Sequence, residues 1–354
     1  MHKTSTKFLT LIKTLVLFGF TTCFAQTEAE KAVLLKSYNL EELKKIQQEL
    51  TNEGFIVNQK IQQLAVEKGW QLKKIHLDGS FDELVGILPD GSPLYYSIEN
   101  VNAANSTRAN HLNTGGSLNL NLNGEGLTVG VWDGGPTRIS HQEFGNRVTV
   151  GDGVTTLNGN SFHATHVTGT VGASGINAAA KGMAPSINVK TFNWTNDIVE
   201  VVQEVQNGLL LSNHSYGTSV NSITTPWYIG AYSQPSRSWD EVAYAGPYYL
   251  MVASAGNDGN VDNPSPSTFS YDKLNGNKTA KNNLVIANAQ DANVDVNGNL
   301  ISVVINSGSS QGPADDRRIK PDITGNGTGL FSTNSSNDTS YATLTGTSMS
   351  GPNV

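Results

Sequence analysis

The chain has 354 residues, a formal net charge of −7, 15% charged residues and 36 glycines. That length leaves room for a large core and more than one domain, and the acidic balance argues against a nucleic-acid partner. The low charge content and abundant glycine exclude a coiled coil or an acidic disordered tail. The short basic run Arg317-Arg318-Ile319-Lys320 follows Asp315 and Asp316 and reads as a solvated turn.

Residues 1–25 read as an export signal. Lys3, Lys7 and Lys13 supply positive charge, Leu15 to Phe20 is apolar but too short to span a bilayer, and Cys23-Phe24-Ala25 before Gln26 fits a cleavage site. A secreted or extracytoplasmic protein is expected, cut after Ala25 and with no membrane span. A lipid anchor at Cys23 is the alternative, although Phe20 and Thr22 fit its pattern poorly. Cys23 is the only cysteine and leaves with the signal, so the mature chain has to rely on core packing or bound ions.

From Asn39 to about Lys68 the apolar residues Leu40, Leu43, Ile46 and Leu50, then Ile61, Leu64 and Ala65, recur at helical spacing. Leu72, Ile75 and Leu77 follow in a strand-like run. Leu84 to Leu88 and Leu94 to Ile98 flank Pro89-Asp90-Gly91-Ser92, a hairpin signal. Residues 26–105 thus form a small α+β module, of a size at which independent stability is marginal. Residues 106–124, rich in Asn, Ser and Gly, read as a linker or the start of a mature chain.

The pattern changes at 125–354. Leu127 to Asp133 is a buried-strand run ending in an acid, Ser161 to Thr170 opens a helix with two histidines, and Ile187 to Phe192 is a strand. Ile198 to Leu209 is helical and leads into Ser212-Asn213-His214-Ser215-Tyr216-Gly217. Tyr248 to Ser254 is a strand ending in Ala255-Gly256-Asn257, and Leu284 to Ala289 is another. Alternating strands and helices predict an α/β domain with a mostly parallel sheet flanked by helices, whose functional residues lie at the carboxyl ends of strands. Asp133, Ser215 and Asn257 sit at such ends.

Attack by a serine hydroxyl requires a base, a group that orients the base, and donors for the developing oxyanion. Gly346-Thr347-Ser348-Met349-Ser350-Gly351-Pro352 puts a hydroxyl on a turn of small residues before a helix start, with Met349 suited to pack inward. Taken alone, Ser348 is more commonly a helix cap, Asp133 a turn cap and Asn257 an ordinary turn residue. Together, Asp133, His163, Asn257 and Ser348 supply all four functions.

In this set the chain resembles the subtilisin-like serine peptidases, or subtilases. Val129-Gly130-Val131-Trp132-Asp133 is similar to their aspartate motif, His163-Ala164-Thr165-His166-Val167-Thr168-Gly169-Thr170 to their histidine motif, Ala253 to Gly259 to their oxyanion-asparagine motif, and Gly346 to Pro352 to their serine motif. Gly312-Pro313 and Arg318 to Ile323 resemble a segment preceding that serine, and the order Asp, His, Ser is also theirs.

The resemblance implies a serine endopeptidase that cleaves protein or peptide substrates through an acyl-enzyme. Ser348 is the nucleophile, His163 the base and then the acid, Asp133 the orienting carboxylate, and the Asn257 amide with the Ser348 N–H the oxyanion hole. It further implies that Ser215, Tyr216 and Gly217, with Ser254, Ala255 and Gly256, pair with an extended substrate and line its specificity pocket. By the same analogy the 26–105 module is a propeptide, an intramolecular inhibitor; the bland reading is a permanent accessory domain.

Ala164, Ser254 and Ser350 depart from the family pattern without removing a functional group. The sequence ends at Val354, six residues past Ser348 (354 − 348 = 6), so the native product is expected to continue and a chain ending there to be poorly active.

Two other readings compete. A weak or inactive subtilase-fold binding or adhesion protein is disfavoured by the complete set of four. A nucleotide-binding α/β protein lacks a glycine-rich phosphate motif after Trp132. No cofactor is required for the chemistry. His163 and His166 lack the following glutamate of metallopeptidases, and His166 reads as a packed histidine, with His141 and His214 as local hydrogen-bonding residues. Asp291, Asp295 and Asn297 could hold a structural calcium, but their spacing equally suits a turn, so no metal ligands are assigned.

A protonated imidazole cannot act as base. The role given to His163 therefore predicts peptidase activity that falls as pH drops through the ordinary histidine range near 6.5, read from initial rates across pH.

Overall fold

The computed structural model describes residues 26–75, 81–98, 109–116, 118–262, 271–295 and 299–354. The segment expected to direct export, the end of the propeptide-like module and Asn297 lie outside them. The chain opens with α1 (Glu28–Leu35) and one long helix, α2 (Leu40–Lys68). The Asn39 side chain caps α2 by accepting from Glu42 N, and Gly69 ends it in the left-handed region at φ 69°, which a residue without Cβ enters without strain. β1 (Lys73–Ile75), β2 (Phe81–Ile87) and β3 (Pro93–Ile98) form an antiparallel meander. The Pro89–Ser92 turn closes it, with Leu88 and Ser92 bonded through Leu88 N and Ser92 O at 2.8 Å.

A short helix, α3 (Ala109–Leu112), precedes β4 (Thr128–Asp133), β5 (Val148–Val150) and α4 (Ser161–Gly172). Then follow β6 (Asn188–Asn193), α5 (Asp197–Gln206), β7 (Leu211–His214), the two-residue β8 (Tyr216–Gly217), α6 (Gln234–Ala245), β9 (Leu250–Ser254) and β10 (Leu284–Ala289). The last elements are the small pair β11 (Asn293–Val294) and β12 (Leu300–Ser302), then β13 (Ile323–Asn326), the hairpin of β14 (Leu330–Thr333) and β15 (Tyr341–Leu344), and α7 (Thr347–Asn353).

Seven strands form one sheet in the order β13-β10-β9-β7-β4-β6-β5, every neighbouring pair parallel. This is the α/β architecture that the alternating pattern predicts. The chain lays down β5 and β6 on one side of β4, and β7, β9, β10 and β13 on the other. The strand order therefore reverses between β4 and β7. At such a point the loops leaving two neighbouring strands diverge and leave a crevice at their carboxyl ends.

One core cluster crosses from the N-terminal segment into the sheet domain: Tyr38, Leu43, Ile46 and Phe81 pack with Trp132, Trp194, Val201, Val205, Tyr216 and Trp239. β3 also extends onto the sheet domain by pairing antiparallel with β8. A second cluster places Met349 of α7 against Val167 and Val171 of α4. Gly169 allows α4 to approach the hairpin, since a methyl there would lie 2.6 Å from Ser332 Oγ and collide with Thr333 Oγ1.

The run 317–320 is not wholly the solvated turn that its sequence implies. Ile319 is exposed, but Lys320 is buried, its Nζ held by Asp322 Oδ2 and Asn283 O at 2.7 Å each. A neighbouring carboxylate and carbonyl satisfy the ammonium that burial strips of water.

Glu143 has a similar structural task. Its buried carboxylate accepts from Ser174 Oγ, Gly175 N, Ile176 N and Asn177 N, which follow α4, and from Tyr341 OH of β15. Hydrogen bonds to a charged acceptor are individually strong. Glu143→Ala is expected to lower the unfolding free energy by about 3 kcal/mol, measured by urea denaturation.

Candidate active site

Asp133 is the last residue of β4 and is fully buried. Its Oδ1 accepts from Gly134 N at 2.7 Å. His163, on the first turn of α4 and also buried, places Nδ1 2.7 Å from Asp133 Oδ1 and 2.9 Å from Oδ2. A carboxylate accepts here, so Nδ1 carries the hydrogen toward Asp133. The start of α4 is fixed by Asn160, whose side-chain amide pairs with both backbone groups of Phe81 in β2, accepting from N at 3.0 Å and donating to O at 3.1 Å.

Ser348 lies in the first turn of α7, which packs against α4 and against the ends of β7, β9, β10 and β13. Pro352, four residues on, has no N–H to donate to the Ser348 carbonyl, so that carbonyl is left out of the helical ladder. Ser215 takes its place: Ser215 Oγ donates to Ser348 O at 2.7 Å, and Ser348 Oγ donates to Ser215 O at 2.8 Å. Asn213 Nδ2 donates to Ser215 Oγ at 2.8 Å and holds that rotamer. A methyl on Gly351 would lie 2.9 Å from Asn213 Oδ1, so glycine is what lets α7 come this close to β7.

Asn257 follows β9 and is partly buried. Its Oδ1 accepts from Thr347 N at 3.0 Å and from Thr347 Oγ1 at 3.2 Å, while Gly256 N donates to Thr347 Oγ1 at 3.0 Å. With the carbonyl end of the amide committed to the residue before Ser348, the Nδ2 donors are turned away from Thr347. Sequence reasoning did not single out Thr347, Asn213 or Asn160. Thr347 lies inside the serine motif, whereas nothing local to the other two announces their partners.

The expected substrate-pairing residues Ser215, Tyr216, Gly217, Ser254, Ala255 and Gly256 are all buried. The edge of Tyr216 and Gly217 is occupied by β3, with Ile98 opposite Tyr216 and Ser97 opposite Gly217. The Tyr216 side chain belongs to the buried core cluster. Its hydroxyl donates to Asp197 Oδ2 at 2.6 Å and accepts from His214 Nδ1 at 2.8 Å, and His214 Nε2 lies 2.9 Å from Ser212 Oγ. His214 is thus the local hydrogen-bonding residue expected, stacked on Trp132 at 5.2 Å. His166 is the packed histidine expected, its Nε2 3.2 Å from both Leu330 O and Ala342 O. Among the described residues no group of three His, Cys, Asp or Glu side chains could hold a metal ion.

The model of the subtilase family matches residues 101–354. Among solved structures, a point mutant of the protease domain of PatA gives a TM-score of 0.48 at 18% identity, over 65% of this chain and 77% of that one. A cold adapted subtilisin-like serine proteinase gives 0.43 at 19% identity, over 66% and 74%. The self-cleaved protease domain of PatA gives 0.45 at 18% identity, over 65% and 77%.

The buried histidines set an acid limit on the fold. Burial pushes His214 down to about 3, and burial followed by the charge of neighbouring His163 pushes His166 down to about 3. Burial acts oppositely on the acids, pushing Asp197 up to about 6 and Glu200 up to about 7. Between about pH 6 and 4.5 the unfolded chain gains protons on the two histidines while the folded chain already holds them on the two acids, so these effects offset. Below about pH 4 the acids are protonated in both states and only the histidines still favour unfolding, by about 1.4 kcal/mol per pH unit each. Urea unfolding of a Ser348→Ala variant, which avoids self-digestion, is expected to show stability nearly level from pH 6 to 4.5 and falling steeply below 4.

Proposed function

The chain belongs to the subtilase family of serine peptidases, and on that premise we propose that it is an exported endopeptidase whose chemistry runs through Asp133, His163 and Ser348. The observation that carries this reading is the buried Asp133–His163 pair, in which both carboxylate oxygens lie within 2.9 Å of Nδ1. That pair turns Nδ1 toward the carboxylate, so that Nε2 is the nitrogen from which the imidazole acts as general base. Ser348 passes its proton to His163 and attacks the scissile carbonyl, and His163 returns the proton to the leaving amine. Asp133 stabilises the imidazolium in between. The Ser348 N–H and the Asn257 amide receive the oxyanion, and the acyl-enzyme is then hydrolysed.

In this reading the N-terminal segment is a propeptide that inhibits in cis. β3 holds the edge of Tyr216 and Gly217 to which an extended substrate would add as a strand. Asp133, His163 and Ser348 have no solvent exposure while it is docked. Activity therefore follows its removal. The apolar stretch at residues 15–20 directs export, and the working protein acts outside the cytoplasm on polypeptide substrates.

Fluorophosphonate labelling and peptide cleavage by the processed full-length protein test the reading. Both are expected in the wild type and absent in Ser348→Ala; cleavage undiminished in Ser348→Ala would refute it. Asn257→Ala is expected to lower kcat by roughly 100- to 1000-fold with little change in KM, a magnitude that comes from subtilisin itself.

A further inference from the structure

Lys278 plays no part in the chemistry above, yet it is 1% exposed and lies between the two expected substrate-pairing segments. Its ammonium faces the glycine that ends each one. A methyl built on Gly256 would lie 3.0 Å from Lys278 Nζ, and one built on Gly217 would lie 2.6 Å from Cε and collide with Nζ. Any other residue at Gly217 would displace the lysine, so the absent side chain there makes the room that the cation fills.

The turn that carries Lys278, Gly276–Thr279, is held from both sides. Asn275 Nδ2 donates to Thr218 O at 2.9 Å, next to Gly217, and Thr279 Oγ1 donates to Ala231 O at 2.8 Å. Gly256 directly precedes Asn257, whose Oδ1 is bonded to Thr347 beside Ser348. The ammonium is thus fixed near the oxyanion asparagine, in a region already stripped of water.

We infer that Lys278 is a specificity-determining residue and that the enzyme cleaves after side chains bearing a carboxylate, Glu or Asp. The inference rests on the subtilase reading of Ser215–Gly217 and Ser254–Gly256 as the walls around the side chain preceding the cut. Against a desolvated cation a carboxylate gains a charge-assisted hydrogen bond, an apolar side chain gains nothing polar, and a lysine or arginine is repelled. Ser254 Oγ, two residues before Gly256, is buried without a hydrogen-bond partner among the described residues, and a carboxylate has lone pairs for both donors.

The test uses the processed full-length protein, a peptide library varied at the residue before the cut, and mass spectrometry of the products. The expected result is cleavage after Glu or Asp favoured over Leu or Lys by roughly 10- to 100-fold in kcat/KM. Lys278→Met is expected to lower the Glu-to-Leu ratio by that factor, Lys278→Arg to retain the acidic preference, and Lys278→Glu to move cleavage to Lys and Arg. The shift to basic residues is a gain that a misfolded variant could not give.

Cleavage by the wild type after apolar or basic residues would overturn the role of Lys278 and leave the serine peptidase reading standing. An unchanged ratio in Lys278→Met would do the same. If the wild type neither takes a fluorophosphonate label nor cuts any peptide, the serine peptidase reading fails and this inference with it.

Discussion

The reciprocal pair of hydrogen bonds between Ser215 and Ser348 holds the site together. Each serine donates its hydroxyl to the other's carbonyl, at 2.7 and 2.8 Å. The bonds exist because Pro352 withdraws a helical donor and leaves the Ser348 carbonyl looking outward. They moor α7 to the segment that follows β7. Asn257 fixes α7 from the other flank through Thr347, and Met349 packs it onto α4. Two strand ends and one helix of the sheet domain therefore fix one short helix, and the placement of Ser348 relative to His163 follows from packing rather than from any single bond.

The sheet supplies the frame. Asp133 ends β4, and Ser215 follows the end of β7, the two strands between which the order reverses. Orientation of the imidazole then depends on Asp133, both of whose carboxylate oxygens face Nδ1, while the placement of its helix depends partly on Asn160 and hence on Phe81 of the N-terminal segment. The N-terminal segment and the sheet domain are in this sense mechanically continuous.

Much of this was legible in the sequence, for a physical reason. A buried parallel strand is a run of apolar residues ending where the backbone turns, so Leu127 to Asp133 and Tyr248 to Ser254 announce themselves and place their last residues at the sheet's edge. The helical spacing of Leu43, Ile46, Ile61 and Ala65 likewise names the face of α2 that is buried. What escaped depends on contacts distant in sequence. Tyr216 reads equally as pocket or core; only Asp197 and His214 show that its ring is core. Lys320 looks solvated because its acceptor on Asn283 is 37 residues away. Glu143, Asn160 and Lys278 carry no local signal, since a buried polar residue is explained by its partners and not by its neighbours in the chain.

The core that runs from Leu43 and Phe81 through Trp194 to Trp239 has a thermodynamic consequence. Two bodies that merely touch melt separately, whereas two bodies that share a hydrophobic interior lose it in one step. The N-terminal segment, too small to be robust by itself, borrows the cooperativity of the larger part. On heating, the intact chain behaves as one unit, with a single calorimetric peak where a count of its parts would forecast two.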